Sequence, residues 1–158
     1  MTIGPGDQAP DFDLPTDGGG TLAGKDLKGK KLVLYFYPKD MTSGCTKESI
    51  AFAEASTDFE RAGATIVGVS KDSVARHDKF KAKHDLPFAL ISDTEGTLCE
   101  AYGVWVEKKL YGRAYMGIER ATFLIDEKGV IRETWRKVKV NGHFLEINLY
   151  EFELIIRA

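Results

Sequence analysis

Residues 31–48 read K-L-V-L-Y-F-Y-P-K-D-M-T-S-G-C-T-K-E. Lys31 to Tyr37 is a continuous apolar run rich in aromatics, the pattern of a central strand covered on both faces. Pro38 stops it. Thr42 is a suitable helix N-cap, and it puts Cys45 in the first turn of the helix that follows. A buried strand thus feeds a helix through a short loop, with one of only two cysteines at the junction. That cysteine is open to four readings: buried filler, half of a disulfide, a metal ligand or a nucleophile.

Working outward, D-F-D-L-P-T-D-G-G-G-T-L (11–22) alternates around a Gly-rich turn and predicts a short N-terminal hairpin. Cys45 to Arg61 is helical, with Ile50, Phe52, Ala53 and Phe59 among charges. Ala64 to Ser70 is a second buried strand, Ser73 to Leu86 a polar helix anchored by Val74 and Phe80, and Phe88 to Ser92 a third strand. Thr94 to Tyr102 is a short helix. Ala121 to Ile125 and Val130 to Trp135 flank D-E-K-G and predict an antiparallel hairpin. The tail from His143 reads as a final helix, with Leu145, Leu149, Phe152 and Ile156 on one face. The order is that of an α/β sandwich with a mixed central sheet flanked by helices, and a thioredoxin-like arrangement fits it. Ligands in such sheets gather beyond the carboxyl ends of the strands, where Cys45 lies.

The totals bound this reading. A chain of 158 residues, 43% hydrophobic and 29% charged, predicts one domain over 1–158 with a sizeable core. A net charge of −2 gives no reason to expect nucleic acid or an anionic membrane as partner. The opening M-T-I-G-P-G-D-Q is no signal peptide, and no run is long enough to span a bilayer, so the expectation is cytoplasmic. Two cysteines make no disulfide scaffold, and without a C-x-x-C pair they suggest no zinc site. His77, His84 and His143 lack metal-ligand spacing and read as solvated or core-edge residues. L-K-G-K-K-L (27–32) reads as a solvated basic turn, and D-G-G-G-T as a turn with no phosphate-loop lysine.

A lone cysteine is most often filler, but T-S-G-C-T is small and polar, poor company for a core. A thiolate at a helix start is favoured by the dipole and by unpaired backbone N–H groups, and Gly44 leaves those groups open to a small ligand. Acidity alone achieves little. A thiol of pKa about 8.5 is only about 3% ionised at neutral pH, and lowering it by about 2 units gives roughly 25-fold more thiolate. Nucleophilicity falls about 8-fold over the same change, leaving a gain of about threefold. The remaining acceleration must come from aligning the reactant and stabilising charge on the leaving atom.

Pro38, Thr42 and Cys45 form P-x-x-x-T-x-x-C, and the surrounding F-Y-P-K-D-M-T-S-G-C-T-K-E resembles the active-site stretch of peroxiredoxins of the Q-type, or bacterioferritin comigratory protein, branch. The resemblance continues through G-V-S-K-D-S (68–73), L-P-F-A-L-I-S-D (86–93), A-Y-G-V-W (101–105), G-I-E-R-A-T-F-L-I-D (117–126) and G-H (142–143). It implies a thioredoxin-like fold and a thiol peroxidase acting on hydrogen peroxide and organic hydroperoxides, with no metal, haem or flavin. It implies that Cys45 attacks the peroxide and becomes a sulfenic acid. Thr42 would hydrogen-bond the peroxide, Arg120 stabilise the developing charge, Pro38 shield the pocket and Glu48 orient Arg120.

The chain departs from the branch at one point. Many Q-type members carry a resolving cysteine five residues after the first, where this chain has Ile50. A second arrangement places it on the next helix, and Ser73 to Leu86 has none. Cys99, in G-T-L-C-E-A-Y-G, is either a half-buried helix residue or a displaced resolving thiol. The expectation is a one-cysteine cycle, in which thioredoxin, glutaredoxin or a small thiol reduces Cys45 directly; a two-cysteine cycle through Cys99 is the alternative. Two readings from other classes are a cysteine hydrolase using Cys45 and His143, and a thioredoxin-like interaction module without turnover. A monomer is expected, with a dimer through the apolar tail as the alternative.

Overall fold

The computed structural model describes residues 3–137 and the backbone of 140–141 and 144–145. β1 (Asp13–Pro15) and β2 (Thr21–Ala23) pair as the expected N-terminal hairpin. β3 (Lys31–Phe36) leads to α1 (Ser43–Arg61), β4 (Ala64–Ser70), α2 (Val74–His84), β5 (Ala89–Ser92) and α3 (Thr97–Ala101). β6 (Trp105–Leu110) and β7 (Arg113–Ile118) follow, then β8 (Ala121–Ile125) and β9 (Ile131–Trp135). The central sheet has the order β5-β4-β3-β8-β9, with β3, β4 and β5 parallel and β8 and β9 antiparallel. It is the mixed sheet flanked by helices that the pattern predicts.

Side chains on a strand alternate between faces, so β3 divides the interior. Val33, Tyr35 and Tyr37 point to one core with Phe52 and Phe59 of α1 and Phe80 of α2. Leu32, Leu34 and Phe36 point to the other, with Leu98 and Cys99 of α3, Tyr102 and Ile118. Gly68 of β4 lies beside Tyr35; a Cβ there would come within 2.9 Å of the Tyr35 ring and hydroxyl. That clearance lets the Tyr35 hydroxyl reach Ser49 Oγ of α1 at 2.8 Å.

Two parts differ from expectation. Residues 105–118 form a two-stranded hairpin outside the central sheet, where no element is predicted. Its loop, Tyr111-Gly112, has positive φ at both positions, as a type I′ turn requires. The sequence lacks the Asn-Gly or Asp-Gly signature of that turn, and V-E-K-K-L is polar enough to pass for loop. In the tail, Phe144–Leu145 pairs with Val140–Asn141 as β11 against β10, not as the start of a helix. The rest of the predicted C-terminal helix lies outside the described residues. No helix among the described residues is long and apolar enough to cross a membrane.

Candidate active site

The site grows from the carboxyl end of β3. Tyr37 still belongs to the sheet, donating its N–H to Val69 O at 3.0 Å. Pro38 then releases the chain into the loop that enters α1. Thr42 is the N-cap residue, and its carbonyl accepts from Thr46 N at 2.9 Å. Its hydroxyl does not cap the helix. It donates to Lys39 O at 2.8 Å, which leaves the hydroxyl oxygen free to accept from a ligand.

Cys45 lies in the first turn of α1 and is 1% exposed. Arg120, in the link between β7 and β8, points Nη2 at Cys45 Sγ at 3.3 Å and Nη1 at Glu48 Oε1 at 2.6 Å. One guanidinium thus spans the sulfur and a carboxylate that stands one helical turn further on. Gly44 makes room for it, since a Cβ there would sit 3.3 Å from Arg120 Nη2. The link is held from behind: Glu119 donates its N–H to Val104 O at 2.7 Å, and its carboxylate pairs with Arg136 at 3.2 Å.

Glu48 is fully buried, and its Oε2 has no hydrogen-bond partner among the described residues. Burial pushes its carboxyl up to about 7, against the opposing pull of Arg120. Burial also works against the charge on Arg120, but Glu48 and then Cys45 outweigh it and hold the guanidinium above its ordinary range.

A groove of about 400 Å³ opens beside this cluster, lined by Pro38, Lys39, Trp105, Lys108, Tyr115 and Met116 among others. Lys71 Nζ sits over the Trp105 ring at 3.9 Å. The Lys108 ammonium is lowered by its partial burial and by repulsion from Arg120, with Cys45 acting in the opposite sense. Lys108 is a cation of the site that sequence reasoning misses, because it belongs to the hairpin with no sequence signature.

The expected residues do not all converge. Gly44, Cys45, Glu48 and Arg120 meet in direct contacts, with Thr42 at the N-cap of the same helix and Pro38 on the loop that enters it. Cys99 is fully buried in the core on the opposite face of the sheet, with its N–H bonded to Asp93 Oδ2 at 2.8 Å. Burial and then Asp93 push its thiol well above the ordinary range. Both cysteines are free.

His77 also departs from expectation. It is fully buried, not solvated or at the core edge. Asp40, Asp72 and His77 bring metal-ligand atoms within 4.8 Å of one another. Those atoms are already occupied. Asp40 accepts from Tyr37 and faces His77 Nδ1, Asp72 accepts from Arg76, Ser70 and Asp40 N, and His77 Nε2 faces Ile91 O. The group is a hydrogen-bond network that already contains a cation, Arg76.

A thioredoxin-like sandwich that presents a cysteine under a guanidinium at a helix start defines a class, the thiol peroxidases. The chain belongs to the AhpC/TSA family, whose pattern matches residues 5–134. It is 53% identical over 146 residues to Peroxiredoxin Bcp of Bacillus subtilis strain 168, covering 92% of this chain and 93% of that one. Its fold matches the bacterioferritin comigratory protein of Xanthomonas campestris with a TM-score of 0.83 at 42% identity, over 92% and 90% of the two chains. A PrxQ mutant of Xylella fastidiosa matches with a TM-score of 0.89 at 38% identity, over 99% and 97%. Within the family the chain therefore falls among the peroxiredoxins of the Q-type branch, and it is a thiol-dependent peroxidase using peroxide substrates and thiol reductants.

Proposed function

We propose that Cys45 is the peroxidatic nucleophile of a one-cysteine cycle, with Arg120 and Thr42 as its catalytic partners. The observation that carries this is the Arg120 guanidinium held 3.3 Å from Cys45 Sγ by a 2.6 Å bond to Glu48. The Cys45 thiolate attacks one oxygen of ROOH. The S–O bond forms as the O–O bond breaks, and the departing RO⁻ takes a proton to leave as ROH. Arg120 faces the charge that moves from sulfur to the departing oxygen. Thr42, with its proton committed to Lys39 O, accepts from the peroxide hydroxyl and aligns it. Pro38 walls the pocket, and the backbone N–H groups around Gly44 and Cys45 complete it.

The product on the enzyme is the sulfenic acid Cys45–SOH. An external thiol attacks its sulfur and releases water, and a second thiol then releases Cys45 from the mixed disulfide. The opposite-face location of Cys99 and the isoleucine at position 50 support direct reduction by thioredoxin, glutaredoxin or a small thiol. Hydrogen peroxide and organic hydroperoxides are both substrates in this reading, and the 400 Å³ groove that begins at Pro38 offers room for an organic substituent. The X. campestris relative is described by its alkyl peroxide reduction activity. The chain acts as a single domain and a monomer. The two free cysteines support a reducing compartment, the cytoplasm.

The test follows peroxide loss with a thiol reductant for wild type, Cys45→Ser and Cys99→Ser. Activity is expected to vanish in Cys45→Ser and persist in Cys99→Ser with every reductant. Activity in Cys45→Ser would sink the mechanism. Loss in Cys99→Ser with thioredoxin alone would make Cys99 the resolving residue.

A further inference from the structure

We propose that His77 is a positioning residue for the peroxide pocket: as a doubly donating imidazolium it fixes Asp40, and through Asp40 the loop that carries Pro38 and Thr42. The inference rests on Cys45 being the peroxide-reactive thiol.

Asp40 stands midway between Pro38 and Thr42, and all its polar groups are tied down. Its N–H donates to Asp72 Oδ2 at 2.8 Å, and its carbonyl accepts from Arg76 Nη2 at 3.2 Å. Its Oδ1 accepts from the Tyr37 hydroxyl at 2.6 Å, and its Oδ2 meets His77 Nδ1 at 2.6 Å. Asp40 is 1% exposed while Met41 and Thr42 are exposed, so Asp40 is the buried pin of the loop. The pin also holds the next residue in an unfavourable conformation, Met41 at φ 68°. The groups that would touch peroxide are therefore located by a contact outside the peroxide pocket.

The geometry fixes the state of the ring. His77 Nε2 faces Ile91 O at 2.9 Å, and a carbonyl only accepts, so Nε2 carries a proton. Nδ1 faces a carboxylate oxygen that would repel a lone pair, so Nδ1 carries one too. The charged and titratable groups facing the ring are Asp40 from the loop, Asp72 ahead of α2, Arg76 on α2 and Tyr37 at the end of β3; β5 presents only a carbonyl. Arg76 pairs with Asp72 at 2.9 Å, which leaves Asp40 as the counter-ion of His77. Burial works against the imidazolium, but the Asp40 hydrogen bond and charge outweigh it and raise His77 above its ordinary range. The Tyr37 hydroxyl stays protonated, raised by burial and by its neighbours. When His77 loses a proton, either Asp40 or Ile91 faces a lone pair, the ring shifts, and the pin loosens. The loop is thus best placed below the His77 titration and worst above it.

The test measures the second-order oxidation of Cys45 by hydrogen peroxide in single turnover across pH, beside the His77 titration followed by nitrogen NMR of the imidazole. In the wild type the rate is expected to fall on an alkaline limb whose midpoint coincides with that titration. His77→Gln is expected to lower the rate about 10- to 100-fold and to lose that limb, since displacements of about 1 Å cost this much. Alkylation of Cys45 by iodoacetamide, which needs Arg120 but no aligned O–O bond, is expected to change by less than about threefold. Asp40→Asn should give the same signature. A folded His77→Gln that matches wild type within about twofold would overturn the proposal. So would a wild-type rate that does not fall as His77 titrates, a result that stands even if neither variant folds. A wild-type Cys45 inert to peroxide would instead overturn the reading beneath it.

Discussion

Cys45 and Cys99 are equally hidden, 1% and 0% exposed, yet their surroundings are chemically opposite. Cys45 meets a guanidinium at 3.3 Å, at the start of a nineteen-residue helix. Cys99 sits among Leu98, Tyr102 and Val104 with the Asp93 carboxylate nearby. A cation stabilises negative charge on sulfur, whereas a carboxylate and an apolar shell oppose it. Burial alone therefore does not distinguish the two thiols. What differs is the neighbouring charge: the Arg120 guanidinium faces Cys45, whereas the Asp93 carboxylate faces Cys99 and outweighs the weaker pull of Lys71.

The sharpest way to break this contrast is to alkylate both thiols in the native protein. Cys45 is expected to react at least about 10³-fold faster than Cys99, which should become available only through global opening of its core. Mass spectrometry of the labelled peptides checks it, and Cys99 labelling that ignores low denaturant would refute the closed-core reading. Next in size, Arg120→Ala is expected to lower kcat/KM for peroxide about 10²- to 10³-fold, because it removes the guanidinium that faces Cys45 Sγ. Arg120→Lys should recover little, since one ammonium cannot span Cys45 and Glu48.

These two effects bear on what could be read before the structure. The apolar run 31–37 and the later strands were legible because burial on both faces leaves an unbroken hydrophobic signature. P-x-x-x-T-x-x-C pointed to three candidate residues around the start of α1, and the resemblance supplied Arg120, 75 positions from Cys45 and in contact with it. Lys108 was invisible because it stands between Glu107 and Lys109 in a charged run and the turn of its hairpin is Tyr-Gly. His77 was misplaced for a different reason. A histidine amid R-H-D-K looks solvated, and only α2 folding onto the β3–α1 loop brings Asp40 to its imidazole. Motifs reveal residues close together in sequence, whereas a buried contact between residues 37 positions apart leaves no local trace.

A smaller effect probes the support of the guanidinium. Glu48 is harder to ionise folded than unfolded, because burial raises it from 4.5 to about 7. Its contribution to stability is thus present below about pH 4.5 and lost as pH rises through about 7. Its role toward Arg120 has the opposite sign, since only the carboxylate is a full counter-ion. Glu48→Gln is expected to lower kcat/KM about 10-fold above pH 7 and to flatten any acid limb near that value. Relative to wild type, the variant should gain thermal stability as pH rises from 4.5 to 7. Parallel curves in a calorimetric pH series would show that Glu48 does not titrate in this window.

The smallest activity effect should come from the second cysteine, and there the two faces of the sheet separate most cleanly. Cys99→Ala removes a sulfur from a packed core that includes Val104, Ile118 and Phe123, so a cost of about 1 kcal/mol in unfolding free energy is expected from the lost burial and the small cavity. Cys99→Ser should cost a similar amount, about 1 kcal/mol, because the Asp93 carboxylate that faces the thiol can accept from the new hydroxyl. Peroxidase rates should stay within about twofold in both variants with a small thiol or with thioredoxin. The split between stability and turnover matters more than either value. A resolving thiol would make alanine and serine equally damaging to thioredoxin-supported turnover and would leave stability a side issue. A core residue lowers stability in both variants and leaves turnover alone. Urea unfolding beside steady-state turnover for the two variants distinguishes these patterns.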